Sequence, residues 1–190
     1  MLLSQFQAIG RELSARGLVT SHSGNLSVRF DERMVITRRG SMLGSLTEQD
    51  LIETGVNKND RFTPLASSEL QVHRAIYRAT KAQAIVHSHP PHATALSLVE
   101  KEIVPKDEWY SVIGRVPVIG YGQEVKPGSF YNEISEALKC RYVAMLYGHG
   151  CFAVGQLLEE AFSFTTVLEE AAKVLCLLKS LNSNGLEQKK

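Results

Sequence analysis

The chain of 190 residues predicts an α/β fold built on a mixed sheet, and three features carry that expectation. Short β-branched or apolar runs alternate irregularly with helical periodicities, hairpin-like pairs occur among them, and the even rhythm of a doubly wound parallel sheet is missing. A chain of this length buries about 70% of its unfolded surface, so one core suffices and a single domain over residues 1–190 is expected.

Each element has its own signal. Phe6, Ile9 and Leu13 recur at helical spacing from about Leu3 to Ala15, and Gly17 follows as a stop. Asn25 to Phe30 and Met34 to Thr37 read as two strands around the polar turn Asp31-Glu32-Arg33. Thr47 to Asp50 resembles a capping box, with Leu51 to Thr54 as the strand after it. Leu70, Ile76, Tyr77 and Ala79 make one face of a helix expected from Ser67 to Ala79. Ala84-Ile85-Val86 leads as a buried strand into His87-Ser88-His89, and Pro90-Pro91 opens a helix reaching Leu98, since proline is tolerated in a first turn. Val116 to Ile119 reads as an edge strand because of Pro117, Phe130 to Leu138 as a helix, and Tyr142 to Leu146 as a strand. Gly148-His149-Gly150 turns into Cys151 to Val154, and a long helix from about Leu158 to Leu181 closes the fold. The tail from about residue 183 is expected to be disordered.

Composition excludes several function classes. Lys plus Arg number 21 against 20 Asp plus Glu, a net charge of +1, so no basic stripe for nucleic acid is present. Cys140, Cys151 and Cys176 are odd in number and widely spaced, which suits a reducing compartment better than a disulfide framework or a thiolate zinc site. Met1-Leu2-Leu3 soon meets Gln5, Gln7, Arg11 and Glu12, leaving no apolar run of signal or membrane-span length. The expectation is a cytoplasmic protein with neither a nucleic-acid nor a membrane partner.

Four constellations bear on chemistry. His87 and His89 lie two apart at a strand end, so both imidazoles share one face at about 6.6 Å of backbone and can close on one metal ion. The bland reading is a pair of solvated histidines; His92, beyond the prolines, is read as outside the ligand set. His149 between two glycines offers a third nitrogen from a turn, and three nitrogens are what a catalytic zinc takes while keeping a position open. Ser67-Ser68-Glu69 at a helix start reads either as a cap with a dipole-complementing acid or as an anion site beside a carboxylate base. His73, four residues on, either orients that carboxylate or packs. Ser23-Gly24-Asn25-Leu26-Ser27 and Thr37-Arg38-Arg39-Gly40 are turn sequences, unremarkable alone.

Taken in order, Ser-Gly-Asn-Leu-Ser, Thr-x-x-Gly, Ser-Ser-Glu, His-Ser-His-Pro and Gly-His-Gly resemble the class II aldolase/adducin family, over most of the chain. The resemblance implies a three-layer α/β/α fold around a mixed sheet. It implies zinc, one Zn2+ per subunit, on His87, His89 and His149, with Glu69 as the acid/base that also completes the metal shell when no substrate is bound. It places Gly24, Asn25, Thr37, Gly40, Ser67 and Ser68 in a phosphate pocket, with Arg39 added if it faces inward. The implied activity is cleavage of a phosphorylated ketose, such as L-fuculose 1-phosphate, to dihydroxyacetone phosphate and a short aldehyde by a homotetramer. A 4-epimerase, a dehydratase and a non-catalytic module like the adducin head share the fold.

Two departures stand out. Arg38-Arg39 occupy positions where such aldolases often carry Pro-Ser, removing a hydroxyl donor and adding cationic ones. Related enzymes protonate the aldehyde oxygen with tyrosines, one near the carboxyl terminus; no tyrosine follows Leu181 here, and Tyr110 is the one candidate.

Overall fold

The computed structural model describes residues 2–126 and 129–183. Its elements run α1 (Leu2–Ala15), β1 (Asn25–Phe30), β2 (Arg33–Thr37), β3 (Leu51–Gly55), α2 (Leu70–Ala79), β4 (Ala84–Ser88) and α3 (Pro91–Ser97). They continue with β5 (Glu102–Ile103), α4 (Tyr110–Ile113), β6 (Val116–Ile119), α5 (Tyr131–Ala137), β7 (Val143–Leu146), β8 (Gly150–Gly155) and α6 (Leu158–Ser183). The eight strands form one sheet in the order β3-β2-β1-β4-β8-β7-β6-β5. Every neighbouring pair is antiparallel except β6 and β7, so the sheet is mixed as the irregular alternation predicts.

Strand parity divides the interior into two apolar layers. Along β8, Cys151 and Ala153 face one layer while Phe152 and Val154 face the other. The first layer takes Phe6, Ile9 and Leu13 of α1, Ala93 and Leu96 of α3, and Leu158, Ala161, Leu168 and Ala172 of α6. The second takes Val72 and Ile76 of α2 with Ile134 of α5. Helices on both faces make the three-layer α/β/α arrangement, and each fully buried Leu or Phe contributes about 1.5–3 kcal/mol to holding it. The long helix α6 buries Leu158, Ala161, Thr165, Leu168 and Ala172 at alternating spacings of three and four, the stripe of a helix laid on a sheet.

Several boundaries differ from the sequence expectation. The helix expected from Ser67 begins at Leu70, because Glu69 sits at the N-cap and Ser67 accepts the Glu69 N–H on its hydroxyl at 3.2 Å. Arg33 pairs with Phe30, so the first hairpin turns on two residues with Asp31 left-handed at φ 51°, not on three. The strand with Pro117 is not an edge strand: β5, only two residues long and therefore without a periodicity to read, covers it. Of the tail expected to be disordered, Ser183 ends α6 and residues 184–190 lie outside the described residues. Among the described residues, no helix is long and apolar enough to cross a membrane.

Candidate metal and anion site

The register of the central strands builds the site. Asn25 stands directly opposite His87 where β1 pairs with β4, and His87 stands opposite Phe152 where β4 pairs with β8. His87 and Ile85 share the sheet face covered by α2, and His89, two residues on, keeps that side, bringing its ring centroid within 4.8 Å of the His87 ring. The β7–β8 hairpin delivers His149 from a three-residue turn in which Gly148 is left-handed at φ 61°. Gly150 has no room for a side chain: a Cβ there would lie 2.4 Å from the Ser88 carbonyl oxygen and 2.8 Å from the His89 ring. Glycine is therefore what lets the third histidine close on the other two.

The three imidazoles place one ligand nitrogen each within 4.8 Å of one another. His87 donates Nδ1–H to the Cys151 carbonyl at 2.8 Å and stacks on Phe152 at 4.2 Å, which fixes the ring and leaves Nε2 pointing into the cluster. There Nε2 meets His89 Nε2 at 3.0 Å and Glu69 Oε2 at 3.0 Å, while His149 Nε2 lies 3.2 Å from Glu69 Oε1. Burial and the neighbouring His87 and His149 push the His89 imidazole down to about 3, so it is neutral at physiological pH and has a lone pair to offer. Burial alone would raise the Glu69 carboxyl. The electrostatic influence of His87 and hydrogen bonding with His149, His87 and Asn25 outweigh that and hold it well below the usual carboxylate range. A group of convergent nitrogen lone pairs beside an ionised carboxylate is satisfied by a cation at its centre, and three imidazoles with one carboxylate fit a divalent ion such as zinc.

Beside this cluster the cleft, about 250 Å³, continues between two loops. The Thr37–Gly40 segment runs alongside Leu65–Ser67: the Ser67 N–H donates to the Thr37 carbonyl at 3.1 Å and the Arg39 N–H to the Leu65 carbonyl at 3.0 Å. Gly24 and Gly40 are both left-handed, at φ 77° and 75°, and a Cβ on Gly24 would lie 2.9 Å from the His87 carbonyl oxygen. Hydroxyls, glycine backbone and the exposed Arg38 and Arg39 thus surround one end of the cleft, the chemistry of an anion subsite.

Gly24, Asn25, Arg39, Gly40, Ser67, Ser68, Glu69, His87, His89 and His149 all line this one cleft. Thr37 does not: it is buried beneath the loop, where its hydroxyl accepts the Leu26 N–H at 3.2 Å and its backbone positions Ser67. Tyr110 does not line it either; it starts α4, about half exposed, beside Arg115. His92 is held away from the cluster by Glu169 of α6, at 2.6 Å. Sequence reasoning missed His22, which lines the cleft and ties its rim to the second loop through a 3.1 Å contact with the Gly40 carbonyl. It had no partner at a recognisable spacing. His73 is brought against Asn25, not against the Glu69 carboxylate, with Nε2 2.5 Å from Asn25 Oδ1.

Comparison with known proteins agrees with this geometry. Residues 4–176 match the Class II Aldolase and Adducin N-terminal domain. The chain is 34% identical to an L-fuculose phosphate aldolase of Methanocaldococcus jannaschii over 176 residues, covering 91% of this chain and 94% of that one. It is 33% identical over 183 residues to a 3-oxo-tetronate 4-phosphate decarboxylase of Haemophilus influenzae, covering 90% and 85%. The crystal structure of L-fuculose-1-phosphate aldolase from Thermus thermophilus superposes with a TM-score of 0.87 at 34% identity, over 100% of this chain and 98% of that one.

Proposed function

This chain belongs to the class II aldolase and adducin family, and from that premise we propose that it is a zinc-dependent lyase acting on a phosphorylated ketose such as L-fuculose 1-phosphate. The products are dihydroxyacetone phosphate and a short aldehyde, lactaldehyde for that substrate. The observation that carries the reading is the convergence of three imidazoles and an ionised Glu69 at one end of a cleft whose other end has the lining of an anion subsite.

His87, His89 and His149 hold the metal, with Glu69 as a fourth ligand in the absence of substrate. Bound there, the ion supplies Lewis-acid stabilisation of the negative charge that develops beside the breaking carbon–carbon bond. Zinc suits this donor set, and cobalt or manganese can also occupy it. The Glu69 carboxylate moves the proton at the hydroxymethyl carbon; its position within hydrogen-bond reach of two ligand imidazoles puts it next to the reacting atoms. The Asn25 side-chain N–H, 2.7 Å from Glu69 Oε2, holds that carboxylate in one rotation. Ser67, Ser68 and the backbone of Gly24 and Gly40 bind the phosphate, with the Arg39 guanidinium reinforcing them.

A second reading has its own support. Loss of carbon dioxide from a phosphorylated 3-oxo acid leaves the same kind of negative charge to be stabilised, the Haemophilus relative is a decarboxylase by name, and two arginines at the rim suit a substrate carboxylate. The metal-loaded protein incubated with fuculose, rhamnulose, ribulose and xylulose phosphates, and with 3-oxo-tetronate 4-phosphate, separates the two. Dihydroxyacetone phosphate together with a free aldehyde from a ketose phosphate supports the aldolase. Because loss of carbon dioxide from 3-oxo-tetronate 4-phosphate itself leaves dihydroxyacetone phosphate, carbon dioxide release with no aldehyde formed from any ketose phosphate supports the decarboxylase.

We also assign the chain to homotetramers. Tyr110 stands outside its own chain's cleft, so its role in protonating the aldehyde oxygen requires a neighbouring copy. Light scattering near four chains supports this, and a fully active monomer removes Tyr110 from the mechanism. The free Cys140, Cys151 and Cys176 accord with a cytoplasmic enzyme.

A further inference from the structure

A line of polar groups runs from the site into the second apolar layer. Glu69, His73 and Tyr77 are spaced four apart, on one face of α2 and its N-cap, while Asn25 and Ser27 are two apart on one face of β1. Where the two faces meet they interleave: Asn25 Nδ2 to Glu69 Oε2 at 2.7 Å, His73 Nε2 to Asn25 Oδ1 at 2.5 Å, Ser27 Oγ to His73 Nδ1 at 2.6 Å, and Tyr77 OH to Ser27 Oγ at 2.7 Å. Ser27 and His73 are wholly inaccessible and Tyr77 and Asn25 nearly so. Four consecutive polar side chains buried in an otherwise hydrophobic layer are costly unless each is satisfied.

Hydrogen-bond chemistry fixes every direction along this line. An ionised Glu69 only accepts, so Asn25 turns its amide N–H to it and is left with Oδ1 facing His73. That oxygen only accepts, so His73 carries its proton on Nε2. The ring is wholly inaccessible and both its side-chain partners are neutral, so it is uncharged, and a neutral ring with Nε2–H has a bare Nδ1 that must accept from Ser27. Ser27 has then used its one proton and accepts from Tyr77.

We propose that Tyr77, Ser27 and His73 form a one-way hydrogen-bond relay that locks the Asn25 amide with its N–H toward Glu69, making His73 a positioning residue for the acid/base carboxylate. Without the Nε2–H donor the amide loses its second anchor, and its contact with Glu69 alone opposes a turn that would set an Oδ1 lone pair against the carboxylate. The relay explains a buried histidine whose side chain reaches none of the three imidazoles and does not line the cleft. It rests on the reading of Glu69 as the acid/base.

The test combines kinetics with a measurement that needs no substrate. On the metal-loaded tetramer, His73→Leu should lower kcat for ketose phosphate cleavage about 10- to 100-fold, the range typical of supporting hydrogen bonds at metal sites, with KM within about twofold and metal content unchanged. His73→Gln, whose Oε1 can accept from Ser27 and whose Nε2 can donate to Asn25, should recover to within about threefold of wild type. In an Asn25→Ala background, His73→Leu should cost less than about twofold more, because both act through one contact. Equal losses in the Leu and Gln variants, or full additivity with Asn25→Ala, overturn the proposal. Nitrogen NMR of the His73 ring decides the geometry separately: the Nε2–H tautomer is expected, and an Nδ1–H tautomer contradicts the relay. Absence of cleavage by wild type would overturn the aldolase reading, while the tautomer still tests the relay.

Discussion

The two ends of the cleft are built in opposite ways. At the metal end, His87 and Asn25 stand on paired strands, almost fully buried, and each polar atom is committed: His87 Nδ1 to Cys151, Asn25 to both Glu69 and His73. At the anion end, Arg38, Arg39, Gly40 and Ser68 are exposed, on segments whose backbone is tied down but whose side-chain ends are free. One end is preorganised for a fixed piece of chemistry; the other adapts at little cost to the fold. Relatives named as an aldolase and as a decarboxylase stand at nearly equal identity to this chain, 34% and 33%.

Substitutions separate the ends, beginning with the largest effect. His87→Ala should remove the divalent ion, about one per chain in wild type, and lower turnover by ~10³-fold or more, since several kcal/mol of charge stabilisation go with the metal. Elemental analysis beside turnover checks it, and a metal-free variant with wild-type activity would dissolve the distinction. Gly150→Ala drives a Cβ into the Ser88 carbonyl and the His89 ring, so we expect about 1–3 kcal/mol of lost stability in denaturant melts together with weakened metal binding.

The acid response belongs to the buried end too. His73 has its folded-state value lowered from 6.5 to about 3 by burial, so between those limits the unfolded chain binds the extra proton. Its contribution is present above about pH 6.5 and is lost as pH falls toward 3, at up to ~1.4 kcal/mol per pH unit. His73→Gln should therefore lose stability less steeply than wild type between pH 6.5 and 5; identical slopes would place the acid sensitivity elsewhere. At the anion end, Arg39→Ala should raise KM for a phosphorylated substrate about 3- to 10-fold with little change in kcat or melting temperature, the size expected for one exposed charge-assisted contact.

The same contrast governs what the sequence made legible. His87 and His89 were readable because strand parity puts residues two apart on one face whatever the surroundings. The β1–β2 hairpin, β4 and α6 were readable from periodicity. His73 was visible only as a residue four after Glu69; that its target is Asn25 depends on how α2 lies over β1, a long-range packing that no local pattern encodes. Thr37 matched a motif by position, yet strand alternation turns its hydroxyl under the loop toward Leu26. The two-residue β5 had no period to detect, so Pro117 suggested an edge that β5 in fact covers.

That the buried end by itself moves the proton at the hydroxymethyl carbon is tested most directly by hydrogen–deuterium exchange into dihydroxyacetone phosphate with no aldehyde present. The metal-loaded protein should exchange one hydroxymethyl hydrogen, Glu69→Gln should lower that rate by roughly 10²- to 10⁴-fold, and Tyr110→Phe should leave it unchanged. Exchange that persists in Glu69→Gln, or its absence in a metal-loaded wild type that cleaves ketose phosphates, would contradict the account.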